Sequence, residues 1–137
     1  MKESLDKAKK KALSEVKKEI EELFGIAYLN VKNCPWVAER SVEDYIKELE
    51  SEIKELREEV EKGSNEGIEE EVGDVFWDAL MLLYIAHKNR KANKKKALRI
   101  VAEKIKRRKP WLIEGRKVGK QEAMDIWNAA KKMEKKR

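Results

Sequence analysis

The sequence predicts an all-α protein, a bundle of about five helices. Its 137 residues include no Thr, two Pro and six Gly, while charged residues make up 44% and hydrophobic residues 41%. Such a composition, dominated by Lys and Glu, is typical of helices with one buried and one solvated face. The length suits one domain with a modest core, and we find no internal repeat or domain boundary, so residues 1–137 are predicted to form a single domain.

The first helix is predicted to run from a cap at Ser4 to about Phe24. Its apolar residues recur at helical spacing, at Leu5, Ala8, Ala12, Val16, Ile20 and Leu23. Gly25 is the expected end, because glycine favours helix termini. Residues 25–40 are then predicted to be a loop or a short extended segment.

Two further helices are predicted on either side of a short break. Ser41, with Asp44 three residues later, is a weak capping-box signal for a second helix that runs to about Lys62. Gly, Ser and Asn at residues 63–65 break the chain. The third helix should run from about Glu66 to Lys88, and because it is apolar nearly all round from Val75 onward, we expect it to be the most buried element.

The last two helices belong to the basic end of the chain. The fourth is predicted to follow a cap at Asn93 and to end before Pro110, since proline disfavours helix in the preceding residue. Residues 115–119 form a predicted loop, and the fifth helix runs from about Lys120 to the C-terminus. Trp77, Trp111, His87 and Cys34 are assigned to packing.

Charge is divided unevenly along the chain. Residues 39–78 hold sixteen Asp or Glu against five Lys or Arg, whereas residues 88–137 hold twenty Lys or Arg against five acids. A nucleic-acid-binding protein would explain the basic part but not the acidic one. A site for a metal ion and a phosphate ester needs both. The chain begins with charged residues, lacks an apolar run of membrane-spanning length and has one Cys, so we expect a cytoplasmic protein without membrane contact.

Four carboxylates have matched helical spacing. Glu52 and Glu55 lie three residues apart on the second helix, and Glu71 and Asp74 three apart on the third. Residues at this spacing share a helix face, so antiparallel packing would bring all four together. Oxygen ligands of this kind suit Mg²⁺, with Mn²⁺ as the alternative ion. Because this region is so rich in acids, the spacing alone is about equally compatible with a solvated acidic face.

Helical phase supports the metal-site interpretation modestly, because acidic and apolar stripes lie side by side on both helices. The apolar stripes are Val42, Tyr45, Leu49, Ile53, Leu56 and Val60 on the second helix, and Val72, Phe76, Ala79 and Leu83 on the third. The acidic stripes are Glu48, Glu52, Glu55 and Glu59, and Glu71, Asp74 and Asp78. The acids are therefore predicted to flank the core. Whether Glu48, Glu59 or Asp78 joins the site stays open.

Several further segments surround these acids in a recognisable order. They are Cys34-Pro35-Trp36, Glu52-x-x-Glu55, Glu71-Val72-Gly73-Asp74, a basic segment from Glu103 to Pro110 that contains Lys104 and Arg108, and Trp127-x-x-x-Lys131. In this order the chain resembles the MazG family of all-α nucleoside triphosphate pyrophosphohydrolases over about residues 33–131. Departures at Val37, Ser51, Asp78 and Lys109 leave the four carboxylates intact and affect substrate preference more than reaction type.

The resemblance implies hydrolysis of a nucleoside triphosphate to a monophosphate and pyrophosphate. The role would be house-cleaning of damaged nucleotides or control of a signalling nucleotide. Glu52, Glu55, Glu71 and Asp74 would be the catalytic metal ligands, and one of them or Glu59 would act as base toward the attacking water. Lys104 and Arg108 would bind phosphate. Trp127 would stack on the base while Lys131 reaches a phosphate. Trp36 would contact the base or close one end of the bundle.

Two other functions remain open from the sequence. One is a specialised relative that acts on one deoxynucleotide or on phosphoribosyl-ATP. The other is a non-enzymatic nucleic-acid-binding bundle that uses the basic residues 88–137, which we consider the weaker interpretation. We also expect a homodimer or homotetramer, because a single small domain has little with which to cover a helix that is apolar on all sides.

Overall fold

In the computed structural model, residues 3–136 are described, and they contain helices and no strand. The helices are α1 Leu5–Asn33, α2 Val42–Lys62, α3 Asn65–Lys88, α4 Lys94–Arg108, α5 Pro110–Glu114 and α6 Lys120–Lys135, with a 3-10 turn at Val37–Glu39. The all-α prediction is confirmed, with six helices rather than about five. Within the described residues, no helix combines the length and the apolar character needed to cross a membrane.

The first helix is longer than predicted. It continues through Gly25 to Asn33, with one kink at Val16, where φ is −132° and ψ is 20°. The predicted end at Phe24 and most of the predicted loop over 25–40 are therefore wrong. An interior glycine costs a helix only about 1 kcal/mol relative to alanine. Here the helix is retained because Leu23, Ala27 and Val31, four residues apart, all pack into the core.

The hairpin of α2 and α3 agrees with its prediction because its local signals are strong. The Ser41 side chain accepts a hydrogen bond from the Asp44 amide, and the Asp44 carboxylate accepts one from the Ser41 amide, which makes a full capping box. Gly63 ends α2 with φ at +71°, a conformation that favours glycine. Ser64 then caps α3 by accepting a hydrogen bond from the Gly67 amide. A connection this short makes the two helices antiparallel neighbours.

The chain divides into two compact units. Residues 18–94 form the central unit, and the described parts of residues 1–17 and 95–137 form the terminal unit. The buried apolar core lies in the central unit and consists of Ala27, Val37, Tyr45, Leu80, Met81 and Ile85. Three of these residues, together with the buried Asp78, come from α3, so the prediction that this helix is the most buried element is confirmed.

Parts of the predicted apolar stripes are exposed. Ile53 and Val60 on α2 are 43% and 57% exposed, and Val72 and Phe76 on α3 are 51% and 46% exposed. The expectation that these stripes form the core of the single chain is wrong at these positions. The reason is the phase of the hairpin, which buries the carboxylate Asp78 and half-buries Glu52, Glu71 and Asp74.

The terminal unit contains one helix that the sequence did not predict. Helix α4 ends at Arg108, before Pro110 as expected, but Pro110 then starts the short helix α5 as its first residue. Proline suits this position because the first turn of a helix needs no amide donor there. Gly115 ends α5 with φ at +67°. No residue of α4 or α6 within the described chain is fully buried.

Candidate metal centre

The α2–α3 hairpin brings the predicted carboxylates together. Oxygens of Glu52, Glu55 and Glu71 lie within 4.8 Å of one another. A second set within the same distance consists of Glu70, Glu71 and Asp74, so Glu71 belongs to both. Glu52, Glu71 and Asp74 are half-buried, whereas Glu55 and Glu70 are exposed. The two sets together are called the carboxylate cluster below.

Glu70 was missed in the sequence. It precedes Glu71 and lies four residues before Asp74, a spacing that places two side chains on neighbouring parts of a helix surface. This spacing could have indicated that Glu70 joins the other acids. Glu70 was left out of the prediction because it lies outside the acidic stripe of Glu71, Asp74 and Asp78.

Without a cation, burial and mutual repulsion make the ionised carboxylates of the cluster unfavourable. Burial raises the pKa of Glu52 to about 8, helped by hydrogen bonding with Glu71 and Glu55 and by repulsion from Glu55 and Asp74. A hydrogen bond from protonated Glu52 favours the Glu71 carboxylate, but burial and repulsion from Glu55 and Asp74 outweigh it, so the pKa of Glu71 is also raised. The metal-free cluster therefore retains protons that free carboxyls would lose.

Two carboxylate oxygens of the cluster are free to bind a cation. Glu52 Oε2 and Glu71 Oε2 are buried and have no hydrogen-bond partner within the described chain. A buried oxygen without a partner is unfavourable, and a divalent cation would satisfy both at once. The donor set contains only carboxylate oxygens, which hard cations such as Mg²⁺ prefer.

The three acids that the sequence left open have different surroundings. Glu48 forms an ion pair with Arg40, at 3.1 Å between Oε1 and Nη2. Glu59 pairs with Lys62 at 3.3 Å, and its side chain lies against Gly67, where a Cβ atom would overlap it. Asp78 is buried, and its Oδ2 has no partner in the part of the chain described. None of the three belongs to the carboxylate cluster.

The predicted phosphate and base residues Lys104, Arg108, Trp127 and Lys131 lie in the terminal unit. The Arg108 guanidinium is 4.9 Å from the centre of the Trp127 ring, so these two predicted residues are in contact. Lys104 is half-buried, and Lys131 is exposed.

Glu134 holds the predicted phosphate ligand Arg108 in an ion pair. Arg108 Nη2 is 2.8 Å from Glu134 Oε2, and Arg107 Nη2 is 2.6 Å from Oε1. These hydrogen bonds, first from Arg108 and then from Arg107, lower the pKa of Glu134 to about 2. Glu134 was not predicted from the sequence, although it lies seven residues after Trp127 and is the one acid among the last twelve residues.

Trp36 lies at the surface of the central unit. It is 72% exposed, so it does not close one end of the bundle. The Arg40 guanidinium lies 5.3 Å from the centre of its ring. The indole is therefore held by one cation and is otherwise accessible to an aromatic ligand.

The fold and the carboxylate cluster define the class of protein. This is an all-α protein whose helical hairpin presents clustered carboxylates suited to a divalent cation. A family model described as the MazG nucleotide pyrophosphohydrolase domain matches residues 40–113, which is more than half of the chain. The chain belongs to the MazG nucleotide pyrophosphohydrolase family.

A solved structure supports the same conclusion. The chain is similar to the MazG-related protein from Thermotoga maritima, with 38% sequence identity and a TM-score of 0.77. The match covers 82% of this chain and 98% of the Thermotoga maritima chain. A search of curated protein sequences gives no match.

Proposed function

We propose that this protein is a Mg²⁺-dependent hydrolase that converts nucleoside triphosphates to nucleoside monophosphates and pyrophosphate. The observation that carries the proposal is the carboxylate cluster around Glu52, Glu55 and Glu71, in a chain of a nucleotide pyrophosphohydrolase family. In the reaction, water adds to the α-phosphorus, the bond from that phosphorus to the bridging oxygen breaks, and the β- and γ-phosphates leave as pyrophosphate. Mn²⁺ is the alternative ion.

Glu52, Glu55, Glu71 and Asp74 are assigned as the ligands of the cation. The support for this assignment is the close approach of their oxygens and the two buried oxygens that lack hydrogen bonds. When bound, Mg²⁺ would neutralise phosphate charge and activate the attacking water. The general base is assigned to one of these acids or to Glu59, whose carboxylate is held next to α3 by its fit against Gly67.

Five further residues are proposed to contact the substrate. Lys104, Arg108 and Lys131 are proposed to bind phosphates, and Trp127 and Trp36 to contact the base. The exposed indole of Trp36 supports its role, because stacking needs an accessible ring face. The ion pair with Glu134 means that a phosphate must compete for the Arg108 guanidinium. These assignments rest otherwise on the order of the family's motifs along the chain.

We also propose that the protein is a homodimer or homotetramer. Ile53 and Val60 on α2, with Val72 and Phe76 on α3, leave apolar area of the central unit exposed in the single chain. Apolar surface of this kind is commonly covered by a second copy in helical assemblies.

The direct test is release of pyrophosphate from a panel of NTPs, dNTPs and phosphoribosyl-ATP with Mg²⁺. We expect turnover by the wild type and a loss of about a hundredfold or more in Glu71→Gln, which removes one charge with little change in shape. The matched control is Glu69→Gln, an exposed acid of the same helix outside the carboxylate cluster, which should keep wild-type activity.

The panel also separates the competing functions. Turnover of one deoxynucleotide or of phosphoribosyl-ATP alone would identify a specialised enzyme. Salt-sensitive binding of DNA or RNA without pyrophosphate release from any substrate would contradict the proposal and favour the nucleic-acid-binding interpretation.

A further inference from the structure

Two arginines of the terminal unit converge on one carboxylate. Arg107 Nε and Nη2 donate hydrogen bonds to Glu134 Oε1, at 2.9 and 2.6 Å. Arg108 Nε and Nη2 donate to Glu134 Oε2, at 3.0 and 2.8 Å. The same edge of each guanidinium is therefore held by this carboxylate. Since an ionised carboxylate has about four lone-pair positions, the two arginines use the whole hydrogen-bonding capacity of Glu134.

This convergence requires an anion. Side chains of consecutive residues in a helix point about 100° apart, so Arg107 and Arg108, the last two residues of α4, do not meet by helix geometry alone. Two neighbouring guanidiniums also repel each other. Glu134 brings them together but supplies one negative charge for two positive charges. A group with more negative charge than a carboxylate would neutralise the arginines more completely.

The group lies among residues that the proposed function assigns to the nucleotide. Trp127, Lys131 and Glu134 follow one another at spacings of four and three residues on α6, so they lie along one face of that helix. The side chains of Arg108 and Glu134 are each 16% exposed and that of Arg107 is 41% exposed, so the group is not sealed from solvent. Glu134 therefore occupies, within reach of solvent, the N–H groups with which Arg108 would bind a phosphate.

We propose that Arg107 and Arg108 together bind the pyrophosphate group, in the phosphate chain of a nucleotide or as the free product, and that Glu134 fills this site until the ligand displaces it. Phosphate and carboxylate oxygens are alternative partners for the same N–H groups of a guanidinium, and the phosphates carry more charge. Arg107 is then a phosphate ligand in addition to Arg108. The inference rests on the proposed function and adds a substrate-binding residue and a competing anion to it.

A competing carboxylate weakens the binding of substrate and product alike. Glu134 raises the KM for the nucleotide, because part of the binding free energy is used to displace it. It also returns to the arginines when pyrophosphate leaves, which opposes tight retention of the product. Removal of its charge should therefore strengthen the binding of pyrophosphate as well as of substrate.

The test is titration of the protein with inorganic pyrophosphate by calorimetry in EDTA, which excludes binding through a metal ion at the carboxylate cluster. Glu134→Gln keeps the size of the side chain and removes its charge. We expect this variant to bind pyrophosphate about tenfold to a hundredfold more tightly than the wild type, because the ligand no longer displaces charge-assisted hydrogen bonds. With Mg²⁺ and a nucleotide substrate, the same variant should show a lower KM and stronger inhibition by pyrophosphate.

Two further variants assign the gain in affinity to the arginine site. Arg107→Gln added to Glu134→Gln should remove most of the gain, because the ligand then loses one of its two guanidiniums. Glu103→Gln is the matched control for net charge, since Glu103 lies on α4 in the same unit and pairs with Lys106 at 3.2 Å. This control should bind pyrophosphate as the wild type does.

Folding of the variants is checked by circular dichroism, because Glu134 also links α4 to α6. A gain in affinity cannot come from partial unfolding, which would weaken binding. Glu134→Asp replaces Glu134→Gln if the latter is unfolded. Its shorter side chain keeps the charge but holds the two guanidiniums less well, so a smaller gain in affinity is expected.

The outcomes separate this inference from the proposed function. Unchanged, weaker or absent pyrophosphate binding in the folded Glu134 variant would identify the ion pair as a permanent link between α4 and α6 and overturn the inference, even if the wild type hydrolyses nucleotides. An equal gain in Glu103→Gln would overturn it as well, and a gain that Arg107→Gln does not reverse would overturn the role of Arg107. Tighter binding that depends on Arg107, without pyrophosphate release from any nucleotide, would support the anion site and contradict the hydrolase.

Discussion

Glu52 is the residue at which folding and proposed function conflict most directly. It is half-buried beside Glu55 and Glu71, one of its oxygens lacks a hydrogen bond, and its pKa is raised to about 8. The folded, metal-free protein therefore disfavours the ionised form that a cation would need. Such a destabilising residue is expected at a binding site, where geometry for the ligand takes precedence over stability.

Replacing Glu52 by Gln should stabilise the metal-free protein at high pH but not at low pH. The pKa of this carboxyl is raised on folding, from the ordinary value of 4.5 to about 8. Below the ordinary value both states are protonated and the contribution to stability is fully present. As the pH rises toward 8 the unfolded state loses its proton first, so that contribution is lost. In EDTA, the melting temperature of Glu52→Gln should match the wild type near pH 4 and exceed it by several degrees above pH 8.

Glu69→Gln is the control for this prediction, since it removes a charge from an exposed position near the cluster in sequence. Its melting temperature relative to the wild type should be similar at both pH values. A stabilisation by Glu52→Gln of the same size at pH 4 and above pH 8 would contradict the assigned cause, because a packing effect does not depend on protonation.

At the residue scale, the sequence predicted which carboxylates lie close together better than it predicted the surroundings of each residue. Spacing identified Glu52, Glu55 and Glu71, because i, i+3 pairs on two adjacent helices must share a face. It could not predict that Asp78 is buried, because that depends on which face of α3 packs into the core of the central unit. Nor could it predict the ion pair of Arg108 with Glu134, which joins residues 26 apart in the sequence.

At the scale of secondary structure elements, two glycines that lie within helices have different surroundings. Gly25 lies within α1, and a Cβ atom there would have no heavy atom within 4 Å. Gly67 lies in the first turn of α3, where a Cβ atom would overlap the Glu59 side chain. Gly25 is therefore replaceable, whereas the absence of a side chain at Gly67 leaves the space that the Glu59 side chain occupies.

Gly25→Ala should therefore stabilise the protein by about 0.5–1 kcal/mol, because alanine reduces the conformational freedom of the unfolded chain and has the higher helix propensity. Gly67→Ala should gain less than Gly25→Ala, since the Glu59 side chain must move to make room for the new Cβ atom. Both free energies of unfolding can be measured by urea denaturation. A loss of stability in Gly25→Ala would show that the helix does not pass through this residue as described.

The helices whose ends are fixed by capping residues were predicted well. The capping box at Ser41, the left-handed Gly63 and the cap at Ser64 fix the ends of α2 and α3 through hydrogen bonds that neighbouring residues supply. The end of α1 and the whole of α5 were missed. In α1 the tertiary burial of Ala27 outweighs the weak preference of Gly25, and α5 is too short for a periodic pattern to reveal it.

At the scale of the whole molecule, the division of charge agrees with the division into units. The acidic residues 39–78 lie in the central unit, and most of the basic residues 88–137 lie in the terminal unit. The sequence predicted this asymmetry directly, because net charge needs no knowledge of the fold. It could not show that the stripes on α2 and α3 leave Ile53, Val60, Val72 and Phe76 exposed, since either stripe of each helix could have faced the core.

The exposed apolar residues of α2 and α3 lead to a prediction about assembly. In water, grouped apolar side chains on two adjacent helices favour association, because each side chain removed from solvent contributes roughly 1.5–3 kcal/mol. We expect the wild type to elute in size-exclusion chromatography with light scattering at a multiple of its 16.1 kDa chain mass. Phe76→Lys, which places a charge within the apolar surface, should shift the protein toward the monomer.

The matched control for assembly is Glu69→Lys, which also introduces a lysine on α3 but at an exposed polar position. It should keep the wild-type mass, so a shift seen in Phe76→Lys alone assigns the interface to the apolar residues rather than to net charge. Circular dichroism distinguishes dissociation from unfolding, because a folded monomer retains its helical signal. A wild type that is monomeric at all protein concentrations would contradict the prediction, and the exposed stripes would then have to be stable in water without a partner.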